Sequence, residues 1–241
     1  MRRIISLLLA FTMILPLGCF AFAYEEEKGT PYGIPIYNSI EKVNLHRVLQ
    51  GNQIKRVLEH TNNLEFEMTF DSNIEGKKSN MFERYDVFKL GTDHYYFGRT
   101  EIDYSFGYKV HYQYESGIND PIMYVKIGLG NFKDQVEYSD EDLEATYLST
   151  FFAPGGRDDA IINISKYEEA YGYYVFYYDA TFEKNGIKYI NNDCRVVINP
   201  KTSLITEAKY FQQTEDGSKT WNVRTTVKYG LDMQPDNYAK N

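Results

Sequence analysis

The chain has 241 residues, 43% hydrophobic and 25% charged, with 26 Lys+Arg against 34 Asp+Glu and a formal net charge of −8. That balance repels phosphate backbones and anionic membrane surfaces, so nucleic acid is excluded as a partner. Two cysteines, Cys19 and Cys194, are too few for a cysteine-rich metal site or a disulfide framework, and packing alone must hold the fold.

The first residues read as a secretory signal peptide over 1–23. Arg2 and Arg3 precede Ile4–Leu15, an almost purely apolar run; Pro16 breaks it, and the small-x-small triplet Ala21-Phe22-Ala23 supplies a cleavage site. A lipoprotein box competes with this reading. Cys19 follows Leu15-Pro16-Leu17-Gly18, and lipidation there would anchor the chain, although Pro16 and Leu17 stand where the motif takes Leu and a small residue. An uncleaved anchor fits worse, since the run is short and interrupted by proline. Either way the expected location is exported, extracellular or in the cell envelope, with membrane contact only through a lipidated Cys19. Losing Arg2 and Arg3 takes Lys+Arg from 26 to 24 and the net charge from −8 to −10. About 218 residues remain, which suits one domain.

Residues 24–38, with Glu25-Glu26-Glu27, Pro31 and Pro35, read as an extended leader. Ser39 is then the expected N-cap of an amphipathic pair of short helices. Its apolar residues are Ile40, Val43, Val48, Leu49, Ile54, Val57 and Leu58, and Gly51 is the break. Leu64, Phe66, Met68, Phe70 and Ile74 then alternate with acidic and polar residues, the pattern of a long strand with one buried face. Four more strands follow as an antiparallel meander, near 80–90, 94–103, 104–115 and 122–129. The stretch YSFGYKVHYQYE (104–115) alternates without a slip, putting Tyr104, Phe106, Tyr108, Val110, Tyr112 and Tyr114 on one face. A charge at Tyr108 is therefore expected to be severely destabilising.

Ser139-Asp140-Glu141-Asp142 has the form of a capping box before a helix of about three turns. A second β block runs from 160 to 229, with turns at Lys184-Asn185-Gly186, Asn199-Pro200-Lys201-Thr202 and Glu215-Asp216-Gly217-Ser218. Its segment YGYYVFYYDATF (171–182) is apolar on both faces, with Phe176 and Tyr178 on one of them. The domain is expected to end at 230, before a loose tail over 231–241.

Catalytic templates fail in turn. The four histidines form no H-x-x-x-H pair, no G-x-S-x-G elbow occurs, and Cys194 has no histidine near it in sequence. GLGNFK (128–133) lacks the third glycine of a dinucleotide loop. DSNIEG (71–76) opens like a calcium loop but has Phe82 at its twelfth position. No metal, no cofactor and no enzymatic activity are expected. What remains is aromatic: 23 tyrosines outnumber 15 phenylalanines. Buried phenols need hydrogen-bond partners, so tyrosine-rich faces suit a partly wet cavity as well as a dry core, or a sugar-stacking surface.

The order of elements carries a resemblance. IKRVLEHTNNLEFEMTF runs from a helix into an alternating strand. A meander, a helical insert, VVINPKTSLITEAKYF and the closing TWNVRTTVKYG follow. Over residues 39–230 this resembles the half-barrel superfamily of bacterial lipoprotein carriers (LolA- and LppX-type proteins), the 198–205 stretch looking like its strand-turn-strand. The resemblance implies an α+β, mostly antiparallel fold, a strongly curved half-barrel sheet wrapped around short helices. It implies a concave face able to hold a lipid or other amphipathic ligand. The cavity-lining candidates are Leu64, Phe66, Met68, Phe70, Tyr104, Phe106, Tyr108, Val110, Tyr112, Tyr114, Phe176 and Tyr178. The tyrosine excess departs from pure acyl-chain binding. Two alternatives therefore stay open: a packed interaction or envelope-sensor domain of the same fold, and an extracellular carbohydrate-binding protein.

Overall fold

The computed structural model describes residues 34–92, 94–116, 122–128 and 134–230. The signal peptide, Cys19, leader residues 24–33 and the tail over 231–241 lie outside the described residues.

Among the described residues, eleven antiparallel strands form the sheet: β1 (Asn63–Ile74), β2 (Lys77–Lys89), β3 (Tyr95–Asp103), β4 (Tyr108–Glu115), β5 (Ile122–Ile127), β6 (Asp134–Glu137), β7 (Ile161–Ala170), β8 (Tyr173–Lys184), β9 (Ile187–Ile198), β10 (Ile205–Thr214) and β11 (Lys219–Tyr229). Their order is β6-β5-β4-β3-β2-β1-β11-β10-β9-β8-β7. Two meanders are thus fused where the first strand pairs the last, from Leu64 opposite Tyr229 to Ile74 opposite Lys219. The product is an open, curved antiparallel sheet with few short helices, an α+β half-barrel. Asn185-Gly186, with φ of 55° and 75°, makes the two-residue hairpin turn that an Asn-Gly pair favours.

The strand expected over 104–115 is instead a hairpin. Tyr104–Gly107 form the turn between β3 and β4. Buried Asp103 holds it, its Oδ1 accepting from the backbone N–H of Ser105 (2.8 Å) and Phe106 (3.3 Å), while Gly107 takes a φ of 70°. Alternation continued through the turn by coincidence; the Asx cap and the glycine were the signals that countered it. The expected severity at Tyr108 is corrected with it, because that side chain is 45% exposed.

Cross-strand register puts Leu64 and Phe66 on one face with Val87 and Tyr85 of β2, Phe97 and Arg99 of β3, and Tyr114 and Tyr112 of β4. In the other direction the Met68 row continues through Thr225, Ala208 and Val196 to Phe176. This is the concave face, and helices fill part of it. A 3-10 turn (Ile40–Lys42) leads to α1 (Leu45–Gly51) and α2 (Ile54–Leu58), which bury Leu45, Val48, Leu49, Ile54, Val57 and Leu58 against it. Each such burial contributes roughly 1.5–3 kcal/mol. Ser39 makes no side-chain cap; Asn44 caps α1 instead, its side chain accepting from the Arg47 N–H (3.2 Å), because Val43 is extended and restarts the helix. Leader residues 34–37 are packed on the domain. Ile34 and Tyr37 are buried, and Ile34 lies so close to Gly51 that any Cβ there would sit 2.7 Å from it.

Asn52 ties this plug to the sheet. Fully buried after α1, it donates through Nδ2 to the carbonyls of Val48 (2.8 Å) and Ser203 (2.9 Å), and its Oδ1 accepts from the Ile205 N–H (2.8 Å). The Asn-Pro-Lys-Thr-Ser-Leu turn therefore docks on the helices. The insert completes the plug. Ser139 opens α3 (Asp140–Leu143) with the expected capping box, and a π-turn (Glu144–Leu148) follows. That turn swings Tyr147 onto Phe97 (ring centroids 4.1 Å apart), and Phe152 meets Phe66 edge-on at 5.5 Å. Among the described residues no helix is long and apolar enough to cross a membrane.

Candidate functional site

The plug covers the end of the concave face where β1 begins. Leu64, Phe66, Tyr114, Phe176 and Tyr178 lie there inside the packed core, each at most 3% exposed. The phenols are satisfied: Tyr178 donates to the Pro154 carbonyl (2.8 Å) and Tyr114 to Asp140 (3.0 Å). Val110 is buried as well. Met68, Phe70 and Tyr112 stand half-exposed at the edge of the plug, and Tyr104, Phe106 and Tyr108 project from the β3–β4 hairpin. The twelve candidates are therefore split among a core, a border and a rim.

Beyond the border the same face continues as a shallow trough. Register sets Met81 of β2 and Val223 of β11 beside Phe70, then Trp221 beside Ser72 and Gln212, and Tyr189 beside Phe182. Met81, Trp221, Tyr189 and Phe182 are half-exposed. The rings of Phe182 and Tyr189 stack at 5.3 Å, Trp221 follows at 6.4 Å, and Arg157 lies over Phe182 at 5.5 Å. Of these, the sequence placed only Phe182 on an apolar strand face, with Phe176 and Tyr178, and none was a site candidate. The alternation Trp221, Val223, Thr225, Val227 in the last strand was the signal that could have found them.

One wall of the trough is charged. Arg99 sits just past Tyr147 and pairs with Glu83 and with Glu101 (2.9 Å); its guanidinium lies 5.7 Å from the Tyr85 ring centre and 5.2 Å from that of Tyr112. Glu83 is buried and also accepts from the Tyr85 hydroxyl. Burial works against the Arg99 charge, but Tyr85 and Glu83 outweigh it, so the guanidinium stays protonated. Burial and Glu83 together push the Tyr85 phenol up, and burial raises Glu101 against the pull of Arg99. The Nε of Arg99 is buried with no hydrogen-bond partner. This wall offers a fixed cation between two carboxylates, with the half-exposed Tyr112 phenol beside it, which suits binding a polar group.

Other chemistry is poorly placed. Cys194 is buried and its thiol is pushed up by burial, so it stays protonated and shielded. Among the described residues no group of three His, Cys, Asp or Glu side chains is placed to hold a metal. A depression of about 380 Å³ lies between the β8–β9 and β10–β11 tips, and one of about 270 Å³ lies beside Ile34, Arg47 and His60; neither overlies the Arg99 wall.

No family model matches the chain, and no curated protein matches it. Solved structures similar to it include a DUF1329 family protein from Desulfovibrio piger (13% identity, TM-score 0.33, 77% of this chain and 92% of that one). A putative outer membrane lipoprotein-sorting protein domain from Vibrio parahaemolyticus (11%, TM-score 0.34, 84% and 98%) and a LolA superfamily protein from Nitrosomonas europaea (8%, TM-score 0.29, 80% and 96%) are similar too. One of these neighbours is itself named a LolA superfamily protein.

Proposed function

We propose that the protein is an exported, non-enzymatic binding module that holds a lipid or other amphipathic ligand in the open part of its concave face. One observation carries this reading: a single continuous face is closed by helices over part of its length and half-exposed over the rest. The open part is lined by Met68, Phe70, Met81 and Trp221 and bordered by the Arg99–Glu83–Glu101 wall. Apolar side chains with a few fixed polar groups are the make-up of a small-molecule site. The apolar part of the ligand lies along β1, β2 and β11, and its polar part reaches the Arg99 wall. The acidic neighbours favour a head carrying donors, such as hydroxyls or an amine, over a bare phosphate.

Native mass spectrometry before and after solvent extraction tests this. An extractable adduct of roughly a few hundred daltons, lost in Phe70→Asp and Met81→Asp, is the expected result. A bare mass that takes up neither fatty acid nor phospholipid favours the second reading, a packed interaction domain. Its specific support is that Leu64, Phe66, Val110, Tyr114, Phe176 and Tyr178 are all buried.

A further inference from the structure

The hairpins at the open end of the trough carry exposed apolar side chains where a monomer gains nothing from them. Phe106 is 76% exposed at the apex of the β3–β4 turn, with Tyr104 at 60% and Tyr108 at 45% beside it. Ile127 of β5, paired with Val110, and Ile74, at the end of β1, are exposed at the same end. The turn is held in place, since the Tyr104 N–H donates to the Asn80 carbonyl (3.0 Å) and the Ser105 Oγ accepts from the Asn80 N–H (2.9 Å).

Around these tips the acidic excess of the whole chain is absent. Lys77 and Lys78 follow the β1–β2 turn, Lys219 stands opposite Ile74, Lys109 follows Tyr108 and Lys126 precedes Ile127; the carboxylates at this end are Glu75 on the β1–β2 turn, Asp71 beside Asn80, buried Asp103 and Asp216 of the adjoining β10–β11 turn. Lys109 and Lys126 are close enough to help lower the His111 pKa, after the larger effect of burial. Screening over about 8–10 Å makes a surface respond to this local charge rather than to the net −8. The expectation that an acidic chain repels anionic membranes therefore does not extend to this rim.

We propose that this rim docks the protein on an anionic phospholipid surface, Phe106 and Ile74 entering the acyl boundary, Tyr104 and Tyr108 lying at headgroup level and the lysines facing lipid phosphates. Tyrosine with flanking lysine is the side-chain set of a membrane interface. The apolar groups also stand on two narrow, staggered hairpins, which suit a fluid surface better than a flat protein patch needing about 800 Å². The inference does not need the trough to hold a ligand, although a docked rim would open the trough toward the bilayer.

The test uses the exported protein, produced from a gene with Cys19→Ser in every variant so that no acyl chain contributes. It is cosedimented with phosphatidylcholine vesicles made with and without about one third phosphatidylglycerol. Expected are binding that needs the anionic lipid and weakens with salt, and quenching of Trp221, the chain's one tryptophan, by brominated acyl chains. Phe106→Ser should weaken binding about tenfold. Lys77→Glu with Lys78→Glu should weaken it at least as much, since each juxtamembrane lysine is worth about 1 kcal/mol, or roughly fivefold. All these side chains are exposed, and circular dichroism confirms the fold of each variant. Absence of wild-type binding, or equal binding by the variants, overturns the proposal. So does self-association in sedimentation velocity that Phe106→Ser abolishes, which would assign the rim to a second copy.

Discussion

The two ends of the concave face share strands, register and residue types, yet they stand in opposite relations to water. At the plugged end Phe66 is 2% exposed, stacked on Tyr85 at 4.3 Å and closed over by Phe152. Two residues to four residues further along β1, Met68 and Phe70 are half-exposed. The difference lies in what covers each row, not in the strand itself. A face is core only where another element lies on it, so the length of the helical plug sets where structure ends and a site can begin.

Substitutions can break this comparison, and the largest effect belongs to the plugged end. Phe66→Ala should cost about 4 kcal/mol in urea unfolding, as a buried phenylalanine left as a cavity does. A cost below about 1 kcal/mol would mean that the plug does not close over that row. At the border, Arg99→Met strands the buried Glu83 carboxylate and should cost about 3 kcal/mol; adding Glu83→Gln should recover most of the loss, because the uncompensated charge is then gone. Phe70→Asp, past the border, should change stability by about 1 kcal/mol or less while abolishing uptake of a fluorescent fatty acid. Tyr108→Asp on the rim should fall within about 0.5 kcal/mol by the same unfolding assay.

The smallest effect sharpens the comparison on the convex side. The His111 ring accepts or donates at Nδ1 with Thr100 Oγ1 (2.9 Å), and its pKa is lowered from 6.5, first by burial and then by Lys109 and Lys126. The folded state therefore binds this proton less readily than the unfolded chain. The contribution is fully present above pH 6.5 and is lost as the pH falls through the depressed folded value. Unfolding midpoints measured from pH 7.5 downward should decline, and His111→Gln should flatten that decline.

Much of the fold was legible in the chain, and the failures have identifiable causes. Strands such as β1, β9 and β11 were readable because one buried face leaves an apolar period of two bounded by Gly and Asn turns. The capping box at Ser139 was readable because it is a purely local hydrogen-bond pattern. The turn at Tyr104–Gly107 was misread because its tip residues are apolar and keep the strand's alternation, a pattern that usually marks a buried face. The short β6 was not anticipated, and the Ser39 cap moved to Asn44 because Val43 interrupts the helix.

The amino-acid sequence by itself determined most of the segments that become strands and helices, which side chains share a face within each of them, and the acidic, cysteine-poor character of the chain. These follow from short-range dihedral preference and from periodicity, which are local properties of the order of residues. Only the tertiary structure decided that β1 pairs with β11 to fuse two meanders into one sheet. It alone placed the plug over part of the concave face, gathered Glu83, Arg99, Tyr85 and Tyr112 from three strands, and left Phe106 in water. Those outcomes depend on contacts between residues far apart in the chain, and no local period encodes them.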